Sequence, residues 1–194
     1  MSKANLLDRR AVVSGLLANR KDAIVVGGLG ASTYDMAAAG DHDRNFYLWG
    51  AMGGAVMIGL GMALAQPKLP VVVITGDGEM LMGLGSLATI GVQKPNNLAI
   101  VVFDNGLYGE TGMQASHTSG GVDLLDVARG CGIERVIEAG DEAGLKELAG
   151  LLATSDRTLF ARVRITPDDP PRVLPEKDGV AIKDRVRRAA LGLV

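Results

Sequence analysis

The sequence is poor in cysteine, in aromatic residues and in net charge. Its 194 residues include one cysteine, Cys131, which excludes an internal disulfide and a cysteine-ligated zinc or iron–sulfur cluster within the chain. We therefore expect a reducing, cytoplasmic setting. The 20 basic and 22 acidic residues leave a formal charge of −2, which gives no electrostatic footprint for nucleic acid. Aromatic residues make up 4% of the chain, which disfavours a β-sandwich built on aromatic pairs.

Two apolar stretches raise the question of a membrane or a secretory signal. The uncharged run 45–67 is long enough to span a bilayer, for which about 20 apolar residues are needed. However, it holds five glycines and leads directly into a β-branched segment, so we predict a buried helix over 52–65 and no membrane span. Charged residues run straight into the stretch 11–18 and no small-residue cleavage site follows it. We predict an amphipathic helix there instead of a signal peptide.

Short β-branched runs alternate with helix-length segments along most of the chain. The predicted strands are 23–26, 71–75, 98–103, 135–137 and 159–165. The predicted helices are 32–39, 52–65, 81–93, 124–131 and 142–153. This alternation predicts one three-layer α/β/α domain over residues 1–166, with a mainly parallel sheet whose ligands bind at the carboxyl ends of the strands.

Residues 167–194 differ in composition from the rest of the chain. Four prolines between 167 and 175 predict an extended arm, and a basic, helix-like tail follows it. The tail is either a solvated, partly disordered segment or a clamp on a partner subunit.

A glycine-rich turn follows the first predicted strand. Residues 27–32 read Gly-Gly-Leu-Gly-Ala-Ser and lead into a helix, whose free N–H groups and positive dipole end can cradle phosphate. The third glycine of a dinucleotide fingerprint would fall at Thr33, so that fingerprint is not met. A plain tight turn is the alternative interpretation of this loop.

Oxygen ligands follow two further predicted strands. Gly76-Asp77-Gly78-Glu79 comes after the strand 71–75, and Asp104-Asn105-Gly106 comes after the strand 98–103. If these strands are neighbours, Asp77 and Asn105 meet at a solvent-reached edge of the sheet. Carboxylate, amide and backbone carbonyl oxygens suit Mg²⁺, which is commonly held by few protein groups together with phosphate oxygens. The alternative is a pair of Asp-Gly and Asn-Gly turns without a ligand.

The run Gly76-Asp77-Gly78, followed after 26 residues by Asn105, resembles the magnesium motif of thiamine-diphosphate-dependent enzymes. The resemblance implies thiamine diphosphate and Mg²⁺ as cofactors, with the main chain of Leu107 as the third metal ligand. It further implies that Gly30 and Ser32 help to hold the diphosphate. Gly76 and Gly78 leave room for the diphosphate to approach the backbone, and Glu79 beside them is a further cofactor-binding candidate. Asp104 stands where the family usually has a second asparagine, which leaves the ligand intact but changes its neighbour.

The segment 48–53, Leu-Trp-Gly-Ala-Met-Gly, resembles the part of that fold that grips the aminopyrimidine ring. By this resemblance the carbonyl of Gly50 accepts from the 4′-amino group. Met52 is the bulky wedge that holds the cofactor in its bent conformation. The resemblance covers residues from about 23 to 165.

The resemblance also implies a partner. In this family a glutamate that binds the N1′ atom of the cofactor comes from a separate pyrimidine-binding domain, for which this chain leaves no room. The chain is thus similar to the diphosphate-binding, or beta, subunit of a split enzyme such as the sulfopyruvate and phosphonopyruvate decarboxylases. We expect a hetero-oligomer with two or more copies of each chain, acting on a small 2-oxo acid to release carbon dioxide and an aldehyde.

Proton transfer in such a reaction needs titratable groups near the keto carbon. His117 and His42 are the only histidines, and both are candidates, although either could be an exposed loop residue. His42 lies between Asp41 and Asp43, which we expect to favour its charged form. Glu110 is a further candidate for a proton relay, or it caps its loop. If the chain proves active alone, Glu79 and Glu110 are the first candidates for the missing acid–base glutamate.

Two other functions remain open from the sequence. The same cofactor could serve carboligation, in the manner of acetolactate synthase, or an oxidative decarboxylation like that of the 2-oxoacid oxidoreductases. The chain could also be a noncatalytic binding or scaffold subunit that retains the fold. Product analysis separates the first alternative from a simple decarboxylase, and failure to bind thiamine diphosphate would favour the second.

Overall fold

The computed structural model describes residues 6–153 and 156–193, and its centre is a six-stranded parallel sheet. The strands are β1 (Ile24–Gly27), β2 (Asn45–Tyr47), β3 (Val71–Gly76), β4 (Leu98–Asp104), β7 (Arg135–Ala139) and β8 (Leu159–Arg164). Their spatial order is β2-β1-β3-β4-β8-β7. Two short strands, β5 (Leu107–Tyr108) and β6 (Gln114–Ala115), form a separate antiparallel pair.

Helices connect the strands and cover both faces of the sheet. They are α1 (Arg9–Ala18), α2 (Ala31–Ala38), α3 (Ala55–Ala65), α4 (Asp77–Met82), α5 (Ser86–Gln93), α6 (Leu124–Gly130), α7 (Glu142–Ala153) and α8 (Gly179–Leu191). One apolar cluster lies between the sheet and α3, α5 and α6. A second cluster lies on the other face, against α1, α2 and α7. The predicted three-layer α/β/α fold is confirmed, and Cys131 packs at the margin of the first cluster.

The central strands are buried because helices cover them on both sides. Every residue of β4 is buried, as is every residue of β3 except Gly76 at its end. Such strands read as continuous apolar runs without alternation, which is why the sequence predicts them well. From β1 the chain first adds β2 on one side of β1 and then crosses over to add β3 on the other side. The direction in which strands are added to the sheet therefore reverses between β1 and β3. In open α/β sheets this reversal point is where ligands bind, outside the carboxyl ends of the strands.

The uncharged run 45–67 contains a strand that the sequence analysis missed. Its first residues form β2, and α3 begins only at Ala55, after a turn in which Ala51 and Gly53 have positive φ. Gly59 lets α3 approach the sheet closely, because a Cβ at this position would overlap Val73 of β3. None of the helices in the described ranges combines the length and the apolar character needed to cross a membrane.

The C-terminal segment lies on its own domain, an arrangement that the sequence analysis did not consider. The arm before α8 is held by Trp49, whose indole N–H donates to the carbonyl of Glu176 over 2.7 Å. α8 packs along β2, with Ile182 and Val186 buried. Arg185 of the same helix binds Asp41 over 2.6 Å. Ile182 and Val186 therefore extend the apolar core at the edge strand β2, and the basic residues of α8 lie on either side of them.

We expect the substitution Ile182→Ala to destabilise the protein, because the side chain is 1% exposed and its removal leaves a cavity. The free energy of unfolding should fall by about 2–5 kcal/mol, which a denaturant titration measures. Val180→Ala on the same helix is the matched control, since Val180 is 62% exposed and its loss should change stability little. Equal, small effects of both substitutions would mean that α8 is not docked in solution.

Candidate functional site

A cleft of about 210 Å³ opens at the carboxyl ends of β1, β3 and β4. Its walls come from the loop after β1, the start of α4, the loop after β4 and the C-terminal arm. Nine of the residues that the sequence analysis selects line this cleft: Ser32, Met52, Gly76, Asp77, Gly78, Glu79, Asn105, Leu107 and Glu110. The reversal point of the sheet thus holds most of the predicted site.

Asp77 begins α4 and is only 2% exposed, so it is not the solvent-reached side chain that the sequence suggested. Its Oδ2 accepts hydrogen bonds from the hydroxyls of Ser116 and, over 3.3 Å, Thr118. Burial raises the pKa of the Asp77 carboxyl; the Ser116 hydrogen bond opposes this change and the charge of Asp104 adds to it. A buried carboxylate of this kind is stabilised in its charged form by a cation.

The loop after β4 presents Asn105 beside Asp77. The side-chain oxygen of Asn105 accepts from the N–H of Leu107 over 2.9 Å, and a carbonyl oxygen retains a second lone pair for a metal. Asp104 is buried; its Oδ1 accepts from the N–H of Gly106 over 3.0 Å, and its Oδ2 lies 3.7 Å from Arg164. The loop is therefore fixed by its own acidic and amide side chains, which leaves an oxygen-rich corner next to α4.

The turn after β1 forms the opposite wall. Gly30 is the N-cap of α2, with φ of 76°, and Ser32 in the first turn is buried against the cleft. Glu110 lies over this turn, since a Cβ at Gly30 would stand 2.7 Å from its Oε1. Arg172 of the arm binds Glu110 over 3.4 Å and stacks on the ring of Tyr34 at 5.5 Å. An anion at the N-terminus of α2 would therefore lie next to the Glu110 carboxylate and close to the Arg172 guanidinium that pairs with it.

Glu79 lines the cleft but binds mainly to other parts of the chain. Its Oε2 accepts from the hydroxyl of Thr75 over 2.7 Å and from the N–H of Leu29 over 3.1 Å. Its Oε1 accepts from the N–H of Gly53 over 3.3 Å. Burial raises the pKa of the Glu79 carboxyl, and these hydrogen bonds oppose the change. One amide of the glycine-rich turn is thus already occupied by a protein side chain.

The segment predicted to grip an aminopyrimidine ring lies at the rim of the cleft. Met52 lines the cleft and is 39% exposed, and it follows Ala51, whose φ of 53° is unusual for a residue with a side chain. Gly50 is exposed and does not line the cleft, so its predicted contact with the aminopyrimidine ring stays a prediction.

His117 is near the cleft but does not line it. Its Nδ1 is 2.9 Å from the hydroxyl of Tyr108, and the two rings meet edge to face. Tyr108 does line the cleft and packs against Gly78. His117 is thus linked to the cleft through one phenol group.

His42 lies at the opposite end of the sheet, and its predicted place near the cleft is wrong for this chain. It comes just before β2, and a parallel strand begins at the amino edge, not at the carboxyl edge where the cleft opens. Its Nδ1 accepts from the N–H of Arg44 over 3.0 Å. Burial and the charge of Arg20 lower the pKa of the imidazole, so the expected preference for the charged form is also reversed.

Several residues of the cleft were not selected as site residues from the sequence. The hydroxyls of Ser116 and Thr118 reach Asp77 from a segment 39 and 41 residues away. Arg172 and Tyr34 join the wall from the arm and from α2. In the sequence, the closely spaced polar residues of the run Ser116-His117-Thr118 are a signal that indicates this part of the site. Arg172 has no such signal, because its position depends on how the C-terminal arm folds back.

Comparison with known proteins agrees with this geometry. The family described as "Thiamine pyrophosphate enzyme, C-terminal TPP binding domain" matches residues 28–160. A phosphonopyruvate decarboxylase of Streptomyces viridochromogenes is 45% identical over 153 residues, which are 78% of this chain and 38% of that protein. The chain therefore spans well under half the length of this relative.

A shorter relative matches almost end to end. The sulfopyruvate decarboxylase subunit beta of Methanothermobacter thermautotrophicus is 33% identical over 187 residues, which are 96% of this chain and 97% of that subunit. The crystal structure of benzoylformate decarboxylase from Polynucleobacter necessarius shares the fold, with a TM-score of 0.71 at 21% identity over 85% of this chain and 34% of that one. The chain belongs to the thiamine pyrophosphate enzyme family and carries its C-terminal TPP binding domain.

Proposed function

We propose that this chain is the diphosphate- and Mg²⁺-binding subunit of a thiamine-diphosphate-dependent decarboxylase that acts on a small 2-oxo acid, of the sulfopyruvate or phosphonopyruvate kind. The observation that carries the proposal is the oxygen-rich corner formed by Asp77 and Asn105 in the cleft. The names of relatives at 33–45% identity support the substrate class. A cytoplasmic location, favoured by the single cysteine, is part of the same proposal.

The residues of the cleft fit the proposed cofactor and metal. Mg²⁺ prefers oxygen ligands in octahedral geometry, and a buried carboxylate with an adjacent amide oxygen and a backbone carbonyl offers such a set. We assign Asp77, Asn105 and the carbonyl of Leu107 to the metal. Gly76, Gly78 and the first turn of α2, with Gly30 and Ser32, are left to the diphosphate, because helix N-termini and side-chain-free turns accept anions.

Thiamine diphosphate, when bound, supplies the nucleophile for the keto carbon and the electron sink for the departing carbon dioxide. The chain contributes placement and charge. Asp77 and Asn105 would hold the metal that anchors the diphosphate, and Met52 at the rim would contact the cofactor ring. The carbonyl of Gly50, an exposed residue, would accept from the ring of the bound cofactor.

Two groups of this chain are placed to handle protons near the open side of the cleft. The Glu110 carboxylate lies in the wall, and Arg172 holds its position. His117 reaches the cleft through the hydroxyl of Tyr108, and a phenol between an imidazole and a cleft can pass a proton in either direction. We therefore propose Glu110 and His117 as the proton donors for the step that releases the aldehyde.

The proposal includes a pyrimidine-binding partner that supplies the N1′ glutamate, in an assembly of two or more copies of each chain. Apolar side chains exposed around α3, α4 and α5 support it: Met52, Met57, Leu64, Met82 and Val92 are between 39% and 79% exposed. Residues 45–67 carry no charge, so this surface favours contact with another apolar surface over contact with water.

The products of the assembled enzyme test the reaction class. With sulfopyruvate or phosphonopyruvate, thiamine diphosphate and Mg²⁺, we expect carbon dioxide and a free aldehyde in equal amounts. A lengthened hydroxyketone would instead identify a carboligase, and an acyl product formed with an electron acceptor would identify an oxidoreductase. If no 2-oxo acid of a panel gave any of these products, the chain would be a binding subunit without catalytic activity.

We expect Met52→Ala to lower turnover more than it lowers cofactor affinity. The side chain bears on the cofactor ring, whereas the diphosphate anchor at Asp77 is untouched. Because Met52 is 39% exposed, its loss should not cost the roughly 2–5 kcal/mol of a core truncation. Steady-state kinetics and a thermal melt on the same variant measure both effects. A large loss of melting temperature with unchanged turnover per folded molecule would assign Met52 to the core instead.

A further inference from the structure

Glu79 lines the cleft, and its carboxylate accepts hydrogen bonds from three separate segments of the chain. Of its partners, Thr75 ends β3, Leu29 belongs to the turn after β1, and Gly53 precedes α3. These three segments lie 4, 50 and 26 residues from Glu79 in sequence. A single side chain, 5% exposed, therefore joins the two loops to which the proposed function assigns the diphosphate and the pyrimidine ring.

The chemistry of the junction requires a carboxylate. Each hydrogen bond comes from a donor, either a hydroxyl or a backbone N–H, so the central group must be an acceptor at both oxygens. α3 has no side-chain cap of its own, and Glu79 supplies a negative charge beside its first turn. The close fit extends to Gly28, where a Cβ would overlap Oε2 of Glu79.

We propose that Glu79 is a positioning residue that fixes the loop 28–32 and the segment 50–53 relative to each other and to the metal ligand Asp77. It does not act as a direct cofactor ligand, which is the role predicted for it from the sequence. The inference rests on the proposed function in one respect: fixing these two segments affects cofactor binding because they are proposed to hold the diphosphate and the pyrimidine ring. The hydrogen bonds themselves can be tested without a cofactor.

Backbone amide exchange in the full chain, followed by NMR, tests the junction. In Glu79→Gln the carboxamide places an NH₂ group against at least one N–H donor. We expect the amide that faces this NH₂ group, that of Leu29 or that of Gly53, to exchange at least about 10-fold faster, which corresponds to about 1.4 kcal/mol. The neighbouring amides of Gly28 and Gly54 donate to the backbone carbonyls of Ile74 and Ala51, so their exchange should stay unchanged.

This pattern separates positioning from loss of stability. A variant that is only less stable would exchange faster at all four amides, and that result would overturn the proposal. Unchanged exchange at Leu29 and Gly53 would overturn it as well. Glu134→Gln is the matched control, because Glu134 lies outside the cleft and its side chain is 69% exposed. It should leave the exchange of all these amides as in the wild type.

A second variant covers the case in which Glu79→Gln does not fold. Glu79→Asp keeps the charge but shortens the side chain by one methylene, so it cannot reach both loops from α4. We expect selective loss of protection at Leu29, at Gly53 or at both, and wild-type exchange at both amides would contradict the proposal. In the assembled enzyme the same variants should weaken thiamine diphosphate binding about 10-fold. Altered exchange without weaker binding would retain the junction and refute the proposed roles of the two loops.

Discussion

Asp77→Asn is expected to abolish tight binding of thiamine diphosphate and Mg²⁺ while the protein stays folded. The substitution removes the only charged side chain among the proposed metal ligands, and affinity should fall at least about 100-fold, beyond the loss typical of a residue that only supports a ligand. Asparagine keeps an oxygen that can accept from the buried hydroxyl of Ser116, and the hydroxyl of Thr118 also donates to Asp104 over 2.9 Å, so both hydroxyls retain a partner. Calorimetric titration of the chain with its partner measures the affinity, and a thermal melt checks the fold.

Asp126→Asn provides the matched control for this experiment. Asp126 lies on α6 with its side chain 74% exposed and forms a surface ion pair with Arg129, so its neutralisation should leave cofactor affinity unchanged. Wild-type affinity in Asp77→Asn would remove Asp77 from the metal site. An unfolded Asp77→Asn protein would show that the buried carboxylate serves the framework instead of a ligand.

The second large effect concerns the partner. With saturating thiamine diphosphate and Mg²⁺, the chain alone should release carbon dioxide from sulfopyruvate or phosphonopyruvate no faster than the uncatalysed reaction. Addition of the pyrimidine-binding subunit should raise the rate at least about 1,000-fold, because the glutamate at N1′ is a general acid–base group supplied in trans. Carbon dioxide release from the separate and mixed subunits is the measurement.

A partner variant in which that glutamate is replaced by glutamine separates catalysis from assembly. It should still form the complex but should not restore the rate. Turnover by the lone chain would refute the division of the site between subunits and would return Glu110 and Glu79 as acid–base candidates. Of these two, Glu110 is the more accessible, since Glu79 is 5% exposed and bound to three segments.

The sequence predicts the centre of this fold better than its edges. β3 and β4 are buried on both faces, so their apolar runs identify them directly. β2 has only three residues, too few to show a period, and it lies within a run whose composition suggests a helix. The docking of α8 depends on two apolar residues four positions apart, Ile182 and Val186, in a helix that also carries four basic side chains.

The same contrast holds for the site. Asp77 and Asn105 follow neighbouring parallel strands, and topology alone brings them to one edge. The hydroxyls of Ser116 and Thr118 reach Asp77 through a hairpin loop whose path no periodic pattern encodes. His42 was misplaced because the missed strand β2 determines which end of the sheet it occupies.

The most direct test of the account is the position of the metal. In crystals of the assembled enzyme grown with thiamine diphosphate and Mn²⁺, which shares the oxygen preference of Mg²⁺, anomalous diffraction locates the ion. We predict one peak at about 2.1 Å from a carboxylate oxygen of Asp77, the side-chain oxygen of Asn105 and the carbonyl of Leu107, bridged to the diphosphate. A bound diphosphate with the metal elsewhere, or with no metal between it and Asp77, would contradict the account.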